Sequence, residues 1–380
     1  MDGNLADEMK GLGRTVLVFQ GGGALGAYQL GVYEALHEAG IEPDWVIGTS
    51  IGAINAALIA GNAPADRMAH LAEFWARLEQ TDLFATPNSW WGMLARNLAT
   101  IGAGLPAFFR PNPGAFAGPF LPLGPEAAGY YATDPLRRTL AELVDFDLIA
   151  RGDTRLTVGA AAVRDASMHY FDSRDRRLTP DHVLASGALP PAFPAIRIDG
   201  ELFWDGGIVS NTPLEAVFDD LPRRDALVFA VHIWNPHGPE PGTIWQVLNR
   251  MKDIQYSSRA ESHIKRQRQI HRLRHVVAEL GRKLPPAALD DPELACLTGY
   301  GCLTRMHVVR LIAPALDNES HLKDIDFSAE GIGQRRAAGY RDTMATIRRA
   351  PWRNPHDPEE GLILHEACGG EMVATGAAAD

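Results

Sequence analysis

Over its first 210 residues or so, the chain alternates short apolar runs with segments of helical period. Residues 16–19 are a β-rich run that breaks into glycines. Residues 27–39 then repeat apolar side chains every three or four positions, with Leu30, Tyr33, Leu36 and His37 near one face and Gly40 as the natural stop. Residues 45–48 predict the next strand, and 51–60 the next helix, ended by Gly61-Asn62. Further strands are expected at 156–163 and 168–171, and a short helical turn at 181–186 before a Pro-rich stretch. Residues 202–204 lead into Asp205-Gly-Gly207, and 227–234 is a last strong strand. Strands alternating with helices predict an α/β fold with a mostly parallel sheet covered on both faces, a three-layer α/β/α sandwich.

Two stretches break this rhythm. Residues 84–131 hold nine aromatics, many Gly and Pro, and only three charged residues, Arg96, Arg110 and Glu126. They read either as an irregular insertion packed on its own side chains or as an apolar cap over a site, since long loops in compact domains often serve as lids. Residues 250–283 predict a long helix with ten Lys/Arg against three Asp/Glu. A solvated helix face is the favoured account of it, and a contact with anionic lipid headgroups the alternative. Beyond lie an expected strand at 302–312, a helix at 328–349, and from Pro351 a Pro-, Gly- and Ala-rich tail expected to be poorly ordered.

Composition narrows the classes. The 380 residues are 46% hydrophobic, ample for a core, and carry a net charge of −11, which argues against a nucleic-acid partner. The polar, acidic N-terminus resembles no secretory signal, and no apolar run approaches the length that spans a bilayer. Cys296, Cys302 and Cys368 are odd in number and lack metal-ligand spacing, so reduced thiols and a cytoplasmic location, with peripheral membrane contact left open, are expected.

The chemistry concentrates at two turns. Gly21-Gly-Gly-Ala-Leu-Gly26 opens a helix after a strand, so its free N–H groups can face an anion. Gly21, Gly23 and Gly26 also fit the dinucleotide fingerprint, which wants an acidic residue at the end of the next strand. Asp44 instead precedes that strand, which ends in Gly48-Thr-Ser-Ile-Gly52, the spacing of a nucleophile elbow around Ser50. A transient oxyanion is therefore preferred over a pyrophosphate as the anion. A serine nucleophile needs a base. Thirteen histidines leave a triad open, yet no local feature marks one of them, His232 included, as catalytic. Asp205 is the sharper candidate, although Asp-Gly is also a common turn.

Gly21-Gly-Gly-x-x-Gly26, Gly48-x-Ser50-x-Gly52 and Asp205-Gly206-Gly207, in this order, resemble the signatures of the patatin-like phospholipases, as does Ala185-Ser-Gly-Ala-Leu-Pro-Pro-Ala-Phe-Pro194. The resemblance spans residues 14–213, expected to be the catalytic domain, with 84–131 as its cap. Residues 214–349 resemble an extension found on some bacterial members, completing or packing on the core, and 350–380 are the tail. It implies a serine acyl hydrolase acting on lipid acyl esters through a Ser50–Asp205 dyad without histidine. The oxyanion hole would be drawn from Gly21, Gly22, Gly23, Ala24 and Gly26, the elbow glycines would be Gly48 and Gly52, and no metal or cofactor would be needed. The implied partner is a lipid or acyl-ester substrate. A non-catalytic lipid- or protein-binding module and a dinucleotide-binding protein are the rival readings. Leu25 departs from the family, many members of which carry Arg or Lys there.

Overall fold

The computed structural model describes residues 8–79, 102, 104–118, 120–316, 319 and 321–367. Its frame is a nine-stranded sheet built from β1 (Arg14–Phe19), β2 (Trp45–Thr49), β3 (Arg155–Ala162), β4 (Met168–Asp172), β5 (Ile196–Ile198), β6 (Glu201–Asp205), β7 (Ala226–His232), β8 (Met306–Ile312) and β9 (Leu362–Ala367). The order is β9-β8-β7-β1-β2-β3-β6-β5, with β4 also on β3. Pairing is parallel from β9 to β3, and antiparallel for β4, β6 and β5. The expected mostly parallel sheet is thus present, with an antiparallel margin on one side.

Alternation along β1 explains the layering. Leu17 and Phe19 enter one buried cluster, whereas Val16 and Val18 enter the other on the opposite face. The first face is covered by α1 (Ala27–Glu38), α2 (Ile51–Ala60), α3 (Arg67–Leu78), α4 (Asp134–Leu143) and α5 (Pro180–Ser186). The second face packs on Leu214, Val217, Phe218 and, from the long helix α6 (Ile244–Lys283), Ile264. A last helix, α7 (Ala329–Arg349), returns to the first face against α1, where Tyr28 donates to Asp342 at 2.9 Å.

Several elements depart from the sequence expectation. Helix α6 begins at Ile244, six residues before the predicted start, because Thr243 and Gln246 form a capping box. Helices α3 and α4 were not anticipated, although Leu71, Phe74, Trp75 and Leu78 are buried at helical spacing. The expected disorder from Pro351 is corrected at Leu362–Ala367. That stretch is strand β9, and what orders it is a six-residue parallel pairing with β8, Met306 to Leu311. Of the proposed cap, residues 84–101, 103 and 119 lie outside the described residues, as do the tail beyond 367 and Cys368. Cys296 and Cys302 are free thiols. Among the described residues, no helix is long and apolar enough to cross a membrane.

Candidate active site

Strand β2 ends at Thr49, and the chain turns at Ser50 into the wholly buried helix α2. Ser50 sits at φ 56°, ψ −127°, in the positive-φ region that a serine avoids and a strained turn imposes. The turn can be this tight because a methyl on Gly48 would stand 2.2 Å from the Gly52 carbonyl oxygen. Ser50 heads α2 without capping it, which leaves its hydroxyl uncommitted to the helix. Its N–H donates to Ser186 Oγ at 2.9 Å, and the Ser186 hydroxyl donates to the Gly159 carbonyl at 2.6 Å, tying the elbow to β3.

Asp205 ends β6 and is buried. Burial pushes its carboxyl up to about 7, and hydrogen bonds from the Gly207 N–H (2.7 Å) and the Ser50 hydroxyl oppose that rise. Serine and aspartate therefore meet from two strand ends 155 residues apart in the sequence.

The glycine loop lies beside them. Gly21 N–H donates to the Asn211 carbonyl at 3.2 Å, and Leu25 N–H to Gly22 O at 3.2 Å. The Gly26 carbonyl accepts from Asn55 Nδ2. Among the described residues no acceptor engages the N–H groups of Gly22, Gly23 or Ala24. Gly23 has φ 56°, and a methyl there would stand 2.2 Å from the Asp324 carbonyl oxygen. A buried polar frame fixes the loop. The Gly21 carbonyl accepts from Trp234 Nε1 (2.7 Å) and Asn211 Nδ2 (3.0 Å), and Gln20 binds Thr212 Oγ1, the Tyr256 carbonyl and the N–H groups of Ile233 and Trp234.

Ser50, Asp205, Gly21, Gly22, Gly23 and Gly207 open onto one cavity of about 200 Å³. Its far walls are apolar, with Phe108, Phe109 and Tyr131 from one side, Leu189 and Phe193 from the Pro-rich stretch, and Ile325 and Phe327 from the chain before α7. Phe108 and Phe109 both pack edge-on against Phe193, with centroids 6.2 and 5.6 Å apart. Among the described residues, no histidine lines the cavity. His232 is buried at the end of β7, where burial and Arg310 hold its imidazole well below the usual histidine range. Asp44 lies at the other end of the strands and accepts from the Thr15 N–H. Gly206 lies outside the cavity lining, against the Gly159 backbone. Leu25 is buried and lines a second cavity with Lys323 and Arg335, both of which are ion-paired, Lys323 to Asp253 at 2.7 Å and Arg335 to Glu319 at 3.8 Å.

Ser186, Asn211, Gln20, Trp234 and Tyr256 escaped the sequence reading as site residues. Only Ser186 left a signal, inside the Ala185–Pro194 stretch; the others are scattered along the chain. Among the described residues, no three His, Cys, Asp or Glu side chains converge as a metal site would require.

Comparison with known proteins adds a family. A model described as "Patatin-like phospholipase" matches residues 17–218, and a second, described as "Patatin phospholipase", matches residues 254–359. "Lysophospholipase nte1" of Aspergillus terreus is 60% identical over 52 residues, 13% of this chain and 3% of that protein. "Patatin-like phospholipase domain-containing protein 6" of Homo sapiens is 47% identical over 66 residues, 17% of this chain and 5% of that protein. The chain thus matches a small fraction of either relative's length. The crystal structure of VipD from Legionella pneumophila aligns over 88% of this chain and 67% of its own, at 15% identity and a TM-score of 0.36.

Proposed function

This chain belongs to the patatin-like phospholipase family, and on that premise we propose that it is a serine acyl hydrolase cleaving lipid acyl esters with Ser50 as nucleophile and Asp205 as base. One observation carries the reading: a strained, uncapped serine and a buried carboxyl poised near neutrality share an apolar cavity with unoccupied backbone N–H groups.

The steps follow from that arrangement. Ser50 Oγ attacks the acyl carbonyl carbon while its proton passes to Asp205. A carboxylate at its ordinary value near 3.8 would be a weak base, and one raised to about 7 is matched to this task. Charge that develops on the carbonyl oxygen is received by the N–H groups of Gly22, Gly23 and Ala24, each such donor being worth about 3 kcal/mol in the transition state. Asp205 then returns the proton to the departing alcohol. Water, deprotonated by the same carboxylate, attacks the acyl-enzyme and frees the fatty acid, and Asp205 returns the proton to Ser50 Oγ. Gly21 and Gly26 support the loop through their carbonyls. The phenylalanines opposite the dyad suit an aliphatic acyl chain and offer nothing to a pyrophosphate.

Reaction with a fluorophosphonate probe tests the proposal. We expect label on Ser50, none on Ser50→Ala, and hydrolysis of at least one member of a lipid panel that falls about a thousandfold or more in Ser50→Ala. A correctly folded wild type that takes no label and cleaves no ester is a binding module, and the proposal fails.

A further inference from the structure

Helix α6 presents an uncovered apolar stripe to solvent. Asp253, Ser257, Ala260, Ile264, His271 and His275 form its buried face. On the opposite side, Ile244, Val247, Met251 and Ile254 recur at helical spacing and are 75, 46, 52 and 51% exposed. About five turns on, past the polar Ser262, Lys265 and Gln269 on the same face, Leu273, Val276 and Leu280 form a second exposed apolar patch. A 40-residue helix is about 60 Å long, so the two apolar patches sit toward opposite ends of one rigid element.

Two further observations identify what covers it. The first is charge: α6 carries ten Lys/Arg against three Asp/Glu in a chain whose net charge is −11, and Arg266, Arg272 and Lys283 beside the stripe are exposed. A second copy laid on this helix would bring cation against cation, whereas an anionic surface would be attracted to it. The second is position. Tyr256 on the next turn lines the reactive cavity, and Lys252 binds the Asp324 carboxylate at 2.7 Å in the segment that lies on Gly23. Trp245, half-exposed, stacks on His321 of that segment with ring centroids 4.1 Å apart. Across the cavity, exposed Phe116 packs against Tyr130, next to cavity-lining Tyr131.

We propose that the outer face of α6 is a membrane-docking surface for an anionic lipid bilayer, which brings the protein to the layer that holds its substrate. The aliphatic side chains enter the boundary between headgroups and acyl chains while the arginines meet phosphates, a balance expected of interfacial amphipathic helices. The naming of a substrate-bearing layer rests on the acyl-hydrolase reading; the docking itself does not.

Flotation of the full chain with phosphatidylcholine vesicles, with and without phosphatidylglycerol, tests it. Wild type and Ser50→Ala should float with the anionic vesicles alone, and less so as salt rises. Met251→Glu with Ile254→Glu, and separately Leu273→Glu with Leu280→Glu, should each weaken binding about tenfold or more. Charge reversal by Arg266→Glu with Arg272→Glu should do the same. Turnover of a soluble short-chain ester and the melting transition should stay as in wild type in all three. Wild type that ignores anionic vesicles, or stripe variants that bind as wild type does, would overturn the proposal. So would a wild-type dimer by light scattering that the stripe variants convert to monomer, since a second copy would then own the face. Flotation without ester turnover would leave docking intact and sink the hydrolase reading alone.

Discussion

Ser50 is held at φ 56° by elements that outlast its own preference: β2 on one side, α2 on the other, and Ser186 pinning its N–H. Asp205 is the residue whose environment most changes its chemistry. In the proposed mechanism its carboxyl must be ionised to accept the serine proton, so kcat/KM on a short ester should rise with pH through an apparent pKa near 7 and level off above it. The linkage to stability runs the other way. With a folded value near 7 and an unfolded one near 3.8, the folded state holds the extra proton in between, so stability falls as pH rises across that window. Asp205→Asn should therefore lose nearly all turnover, yet melt higher than wild type at pH 8, by a few kcal/mol at most. A lower melting temperature for Asp205→Asn at pH 8, or a pH-rate profile already flat from pH 5, would contradict the assigned environment.

Among the elements, the crossing of α1 and α7 controls how the last helix seats. A methyl on Gly339 would stand 2.1 Å from the Tyr28 carbonyl oxygen, and one on Gly31 would stand 1.8 Å from the Arg336 carbonyl oxygen. The backbones touch there, and Arg336 pairs with Glu34 through two hydrogen bonds of 2.7 Å beside the contact. Gly339→Ala should force the helices apart and cost about 2 kcal/mol in denaturant unfolding. Because Ala338 and Arg335 of α7 line the cavity behind the glycine loop, turnover should fall as well. The strand and helix runs before residue 60 were legible because local period alone sets them. Strand β9 was not, because six residues after a Pro-rich stretch become a strand only when β8 offers its edge.

Across the whole molecule, the sheet separates chemistry from anchorage. The proposed site residues gather beyond the C-terminal ends of β1 and β2. At the opposite ends Asp220 accepts from Arg14, Arg155 and Arg174 at 2.9, 3.0 and 2.8 Å, and the Arg155 guanidinium lies 3.7 Å over the Trp45 ring. Those arginines hold the Asp220 carboxyl down to about 2 despite its burial, so its contribution is present above about 3.8 and is lost as pH falls through 2. Asp220→Ala would take the carboxylate from Arg14 while Arg155 keeps Asp172, and should lower stability by about 2 kcal/mol, with kcat of the folded fraction unchanged. The sheet also crosses the boundary suggested by sequence at residue 213: β7 pairs with β1 along six residues, Arg14 to Phe19.

Sequence by itself determined the alternating layers, the two glycine turns, and Ser50 and Asp205 as the chemical candidates. Each of these is written in local period, or in residue types that only a tight turn or a close approach requires. Tertiary structure alone decided the rest. Burial raised the Asp205 carboxyl, Asn211, Trp234 and Gln20 converged on the glycine loop from distant parts of the chain, and Phe108, Phe193 and Phe327 closed one apolar wall. Those outcomes depend on which strands become neighbours, and neighbourhood across a hundred or more residues leaves no local pattern to read.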